Sequence, residues 1–344
     1  MRFLALTLSI LTTAAVLPSQ DTSTMSGTWT ARLRDTRTGP DGEPRVSLQL
    51  QHGDRHQTGT SVPLSQLEGL NAAGERWTAQ DVRFTLRRDA GTFAFRGGFV
   101  DGRGAGTFEF TPAADYIAAM QPKYGALAQR DLLRLALLDV SRAFATSIEG
   151  EGYPDLGLDD LVRLRVHGID AGYIRELRQA GYDQVPPADL VRTRIHGATP
   201  RYVREMADAG YRGLSIDDLV KTRIHGAAPA FVRELSAAGY TDVDVDTLVR
   251  LRIHGVTPDY IKELRSLGHA DLPVEDLVAF RIHGVTPGYV RELRELGYGE
   301  LSGQQLVRFR IHGVSARFIR DLQHAGHKNL SADDLVDARI HGRR

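Results

Sequence analysis

Cysteine is absent from the 344 residues, which excludes structural disulfides, thiol nucleophiles, thiolate zinc sites and a lipid-modified bacterial cysteine together. Net charge is missing as well. Lys and Arg number 43 and Asp and Glu also number 43, so no global positive field drives counterion release from nucleic acid, and nucleic acid is not an expected partner. Beyond the first twenty residues there is no long apolar run. The best later candidate, Leu132–Val140, is short and carries Arg134 and Asp139, so no membrane span is expected there. The signatures H-E-x-x-H, G-x-S-x-G and the P-loop are also lacking, and the chain is expected to be no enzyme and to need no cofactor.

What is present begins with an export signal. Met1 and Arg2 precede an apolar run from Phe3 to Leu17 that ends at Pro18, Ser19, Gln20 and Asp21. Residues 1–20 therefore read as a secretory signal peptide, and the mature chain is expected to be periplasmic or secreted. The alternative, a single membrane anchor, needs about 20 apolar residues.

Residues 26–110 read as a small antiparallel β domain, a sandwich or partial barrel. Trp29, Ala31 and Leu33 alternate with polar residues, as do Val46, Leu48, Leu50 and Val82, Phe84, Leu86, and the pattern continues through Phe93, Phe95, Phe99, Phe108 and Phe110. Turns are expected at Asp89–Gly91 and Asp101–Gly104. Gly102, Gly104 and Gly106 lack the G-x-G-x-x-G spacing of a nucleotide loop, so this stretch is a hairpin. Residues Gly53–Pro63 and Asn71–Glu75 read as polar loops, with a helical turn expected within Leu64–Leu70.

From about residue 111 to 342 the chain repeats itself. His-Gly recurs at His167, His196, His225, His254, His283, His312 and His341, 29 residues apart each time, and about eight units fill this region, the earliest degenerate. Each unit reads as two short helices. Thr199 followed by Pro200 opens the first and Gly210 ends it. Ser215 with Asp218 opens the second, as do Ser302 with Gln305 and Ser331 with Asp334. Tyr202, Val203, Met206 and Ala209 form the buried stripe of the first helix. Leu219, Val220 and Ile224 are expected to be buried by the second. Such short helices cannot bury a face alone, so stacking of neighbours must supply the core: an α+β protein, a β domain followed by an α-solenoid.

Three repeated features could carry chemistry. The seven histidines could ligate metal, but equivalents one solenoid step of ~8–10 Å apart cannot share a zinc ion whose ligands lie ~2 Å from it. They are expected instead to be repeat-defining structural residues, a ring N–H closing a helix C-terminus. The aromatics Tyr173, Tyr202, Phe231, Tyr260, Tyr289 and Phe318 read as core, with a sugar-stacking platform as the alternative. Arg165, Arg194, Arg223, Arg252, Arg281, Arg310 and Arg339 alongside Glu176, Glu205, Glu234, Glu263, Glu292 and Asp321 suggest an ion-pair ladder or, failing that, an anion-binding groove. Arg201, Ala230, Asp259, Gly288 and Arg317 vary between units, so they are expected on the surface, where specificity for a partner is written.

The unit from His254 through Val256, Thr257, Pro258, Asp259, Tyr260, Ile261, Lys262, Glu263 and Leu264 to Gly268, and its copy from His283 to Gly297, resemble repeats of exported bacterial proteins. Similar repeats follow the membrane metallopeptidase domain of proteins similar to beta-lactam-sensing antirepressors. The resemblance extends to Gly104–Phe110 and has no counterpart here for the metallopeptidase. It implies a repeat scaffold in or beyond the envelope and no catalytic residue. The expected function is recognition of a protein or other envelope component. The alternatives are an accessory sensor for a small cell-envelope ligand, or metal binding through the histidines.

Overall fold

Alternation of apolar and polar side chains forces the N-terminal strands to share one buried face. The computed structural model describes residues 23–34, 42–53, 56–72 and 76–342, so the export segment 1–20 lies outside the described residues. Seven strands are described: β1 (Met25–Arg34), β2 (Arg45–His52), β3 (His56–Pro63), β4 (Leu67–Glu68), β5 (Ala79–Arg88), β6 (Gly91–Val100) and β7 (Arg103–Pro112). They form a single antiparallel sheet of order β3-β2-β1-β7-β6-β5-β4, curled into a half-barrel. Trp29 and the rings of Phe84, Phe93, Phe95, Phe99, Phe108 and Phe110 are all buried. The Trp29 ring meets Phe84 edge-on at 5.3 Å between centroids, and Phe84 stacks on Phe95 at 4.6 Å. The Trp29 indole N–H donates to the carbonyls of Arg96 and Thr107 at 3.2 and 3.0 Å, pinning β6 and β7 beneath it.

One loop expectation is corrected. Residues 56–63 of the expected polar loop Gly53–Pro63 are strand β3, in register with β2 from Gln57 opposite Gln51 to Pro63 opposite Arg45. Its sequence conceals this because it is an edge strand whose buried apolar residues, Val62 and Pro63, stand only at its end. Of the expected helical turn at Leu64–Leu70, Leu64–Gln66 forms a single 3-10 turn, which runs into β4.

Among the described residues four helices complete the first of two compact units, which divide after Val166: α1 (Ala114–Tyr124), α2 (Gln129–Leu137), α3 (Arg142–Gly150) and α4 (Leu158–Val166). Helix α2 packs on β3, β6 and β7. Asp89, in the β5–β6 turn, accepts from the backbone N–H of Arg142 at 2.7 Å and from its guanidinium at 2.6 Å. The Arg142 guanidinium holds the Asp89 carboxyl below the usual range.

Among the described residues the second unit holds twelve helices, from α5 (Ala171–Gln179) and α6 (Pro187–His196) through α7 (Pro200–Asp208), α8 (Ile216–Ile224), α9 (Pro229–Ala237), α10 (Val245–Ile253), α11 (Pro258–Ser266), α12 (Val274–His283), α13 (Pro287–Glu295), α14 (Gly303–His312) and α15 (Ala316–His324) to α16 (Ala332–His341). The caps are where local chemistry requires them. Thr199, Thr257, Thr286 and Ser315 accept from the N–H three residues on, Ser215 does so from Asp218, and Ser302 and Ser331 form full capping boxes. Odd-numbered helices neighbour odd and even neighbour even, so first helices form one layer and second helices another.

Candidate recognition surface

The end of each second helix is a glycine in the left-handed region, such as Gly226 at φ +70° and Gly255 at φ +69°. This conformation returns the next residue towards the helix. Ala227 N–H bonds to Thr222 O at 2.9 Å, Val256 to Leu251 at 2.9 Å and Val285 to Phe280 at 2.8 Å. The side chain after each glycine is thereby delivered into the core, and Ala198, Ala227, Val256, Val285 and Val314 are all buried.

That turn displaces the isoleucine before the histidine. Ile224, expected in the core, is 55% exposed, and Ile195, Ile253, Ile282, Ile311 and Ile340 lie between 51 and 59% exposed. The inner position belongs to the residue two earlier: Thr193, Thr222, Leu251, Phe280, Phe309 and Ala338, all buried. Because the second helices lie side by side, the six isoleucines form a row across their layer. Val166 is exposed in the same way at the end of α4.

The arginine ladder is also corrected. The repeated arginines pair with rings and carbonyls rather than with the repeated glutamates. Arg194, Arg223, Arg252, Arg281, Arg310 and Arg339 lie 4.8–5.3 Å over Tyr173, Tyr202, Phe231, Tyr260, Tyr289 and Phe318 on the first helix of the same unit. Arg194, Arg281 and Arg310 also donate Nε–H to the carbonyls of His167, His254 and His283, each at 3.2 Å. The helix-end carbonyl of the histidine is thus satisfied by the next arginine. No imidazole of the seven repeated histidines makes a hydrogen bond among the described residues, contrary to the expected ring-to-carbonyl closure. The rings of His196, His225, His283, His312 and His341 are exposed, and those of His167 and His254 partly so. No group of three or more His, Asp or Glu placed to hold a metal ion occurs among the described residues.

The true ion-pair ladder uses other residues. Arg192 meets Asp217 at 2.6 Å and Arg250 meets Glu275 at 3.2 Å, while Lys221 pairs with Asp246 and Arg308 with Asp333. Each pair joins one second helix to the next, skipping the step where Ala279 and Gln304 stand. Exposed pairs are worth only ~0–1 kcal/mol each, so they set register more than stability. The variable residues Arg201, Ala230, Asp259, Gly288 and Arg317 are all exposed near the start of the first helices.

The aromatic residues are core. Tyr173, Tyr202, Phe231, Tyr260 and Tyr289 are buried under their arginines and Phe318 is nearly so. Their hydroxyls follow the inner position of the second helix. Tyr173 and Tyr202 bond Thr193 and Thr222 at 2.8 and 3.0 Å. Where that position is phenylalanine, Tyr260 and Tyr289 donate to Val285 and Val314 carbonyls at 2.6 Å. Opposite Leu251 stands Phe231, which has no hydroxyl to satisfy. Burial pushes the Tyr260 and Tyr289 hydroxyls up to about 12, against the lowering pull of Arg281 and Arg310.

Compared with known proteins, the chain matches no family model, no curated protein and no solved structure. Its function is therefore argued from its own repeats, which act as an internal alignment. The exposed isoleucine is the residue that sequence reasoning misplaced. A readable signal existed: it stands between an arginine and a histidine, and an apolar residue follows the glycine.

A second tie between units comes from the tyrosine after each first helix. Tyr182, Tyr240 and Tyr298 donate to the carbonyls of Leu214, Leu272 and Leu330 at 2.6, 2.7 and 3.0 Å, and Tyr211 donates to that of Val243. His269 interrupts the series, and burial lowers its pKa. The folded state thus disfavours the proton that the unfolded chain accepts near pH 6.5. The resulting stability is present above that pH and is lost as pH falls towards the folded pKa. His269→Tyr should supply the missing donor to the Leu301 carbonyl, raise stability by ~1 kcal/mol and shrink the loss of melting temperature between pH 8 and pH 5. An unchanged melt at pH 8 would show that the Leu301 carbonyl gains nothing from the hydroxyl.

Proposed function

We propose that this chain is an exported, non-catalytic recognition protein that binds a polypeptide partner across the second-helix layer. The observation carrying this reading is the isoleucine row. A large aliphatic side chain more than half exposed is ordinary once, but here it recurs at the same place in six successive units. The neighbouring repeated residues have internal duties: the arginine covers a ring, the glycine turns the chain, and the next residue fills the core. The isoleucine has none in the isolated chain. Completing the burial of one such side chain is worth roughly 1 kcal/mol, half or less of the ~1.5–3 kcal/mol for full burial. A partner that engages several at once gains accordingly. Export rests on the N-terminal segment and on the resemblance to repeats of exported bacterial proteins. No helix among the described residues is long and apolar enough to cross a membrane.

The test replaces Ile224, Ile253 and Ile282 together by serine. These side chains are exposed, so the melting temperature should stay within a few degrees of wild type. Cross-linked partners recovered from envelope extract with the wild-type chain should be lost with the variant. Retention of the same partners by the variant would remove this surface from the function.

A further inference from the structure

We propose that the occupant of the isoleucine row is an extended, anionic polypeptide that presents an aliphatic side chain every third residue. The inference rests on the recognition reading above and adds the pitch and charge of the ligand. Packed helices stand ~8–10 Å apart, so successive isoleucines step by about that distance along the row. A polyproline-II chain rises ~3.1 Å per residue and turns the same face outward every third residue, ~9.3 Å apart. A β-strand repeats its face every ~6.6 Å and loses the match by the second unit. An α-helix returns to the same face at a comparable step only at every seventh residue, ~10.5 Å, so it offers one contact per seven residues of partner against one per three for the extended chain.

Charge decides the sign. Arg194, Arg223, Arg252, Arg281 and Arg310 directly precede the isoleucines, all exposed, and none is ion-paired with a carboxylate among the described residues. A histidine follows each isoleucine. On the same layer Asp337 stands one turn before Ile340, and the other carboxylates lie at the first turn of second helices, where Asp217, Asp246, Glu275 and Asp333 are tied to Arg192, Lys221, Arg250 and Arg308. A partner lying along the row therefore meets an arginine without a carboxylate partner beside each of these five apolar contacts, which complements acidic residues between its aliphatic ones. A second copy of this chain would set the arginine rows against each other, which opposes self-association. A glycan would need aromatic faces, and those rings lie under arginines. A bilayer surface would call for exposed Trp or Phe, and the large apolar residues exposed among the described residues are all Val or Ile.

The experiment measures fluorescence anisotropy of labelled (Leu-Pro-Glu)n peptides, with n of two, four and six, against the full chain. Affinity should rise at least about ten-fold from the shortest to the longest peptide as successive isoleucines are engaged. It should fall about ten-fold or more for a scrambled peptide of the same composition, and binding should vanish for (Leu-Pro-Lys)6. The Ile224/Ile253/Ile282→Ser chain should lose binding with its circular dichroism unchanged. The peptide comparisons need no variant, so a misfolded variant leaves the proposal testable. Equal affinity for periodic and scrambled peptides, or for the lysine peptide, overturns it. So does dimerisation in sedimentation that the serine substitutions abolish, or stronger binding to phosphatidylglycerol vesicles than to any peptide. If the serine chain loses its cross-linked partners while the peptides show no preference, recognition by this face stands and only the ligand chemistry falls.

Discussion

Gly106→Val should unfold the half-barrel while most of the helical signal survives. Gly106 on β7 lies directly opposite Gly97 on β6, and the two backbones approach so closely that a Cβ on Gly106 would sit 1.9 Å from the Arg96 carbonyl oxygen and 2.7 Å from the Gly97 Cα. A Cβ on Gly97 would likewise stand 2.1 Å from the Ala105 oxygen and 2.8 Å from the Trp29 ring. These are backbone and packed-ring contacts that no rotamer change relieves, so the two strands must separate. Separation takes the Arg96 and Thr107 carbonyls away from the Trp29 indole, which is 1% exposed. Backbone displacement combined with an unsatisfied buried donor places the loss at ~4 kcal/mol or more. The chain has two tryptophans, Trp29 and Trp77, both in the first unit, so their fluorescence follows this unit alone. In a guanidinium titration the fluorescence midpoint should drop sharply while ellipticity at 222 nm changes much less. A fluorescence midpoint equal to wild type would show that the strands yield without cost.

Phe280→Ala should give the reverse pattern. Phe280 is completely buried on α12 at the inner position of the second helix, in edge contact with His269 at 6.3 Å between ring centroids. Its backbone carbonyl accepts the N–H of Val285, which closes the turn after Gly284. Deleting a buried ring costs ~3–5 kcal/mol through lost transfer and the remaining cavity. In a repeat array each unit touches only its neighbours, so the damage should be local. Hydrogen exchange should accelerate from about residue 258 to 312 and fade towards α5, with tryptophan fluorescence unaltered. Uniform acceleration from α5 to α16 would mean that the second unit unfolds as one block.

The sequence by itself determined whatever depends on residues three or four positions apart. The 29-residue period, the Thr-Pro and Ser caps, the left-handed glycines and the alternation of the strands are set by local hydrogen bonds and steric limits, and each appears where the pattern placed it. So does the α+β order of a curled sheet followed by paired helices. Tertiary structure decided the rest, because those features depend on partners far along the chain. Strand β3 exists because β2 offers a ladder to a segment whose own composition is polar. Gly97 and Gly106 are small because two backbones and one indole meet there. The repeated arginines chose the rings of their own unit and the carbonyls of the preceding one over the glutamates, since the packed helices bring those partners within reach. Ile224 and its equivalents satisfy the spacing of a buried stripe, yet the residue two earlier and the residue after the glycine are the ones that are buried. The inner position of the second helix went to Thr222 and Leu251, the tight turn brought Ala227 and Val256 into the core, and the isoleucines were left outside.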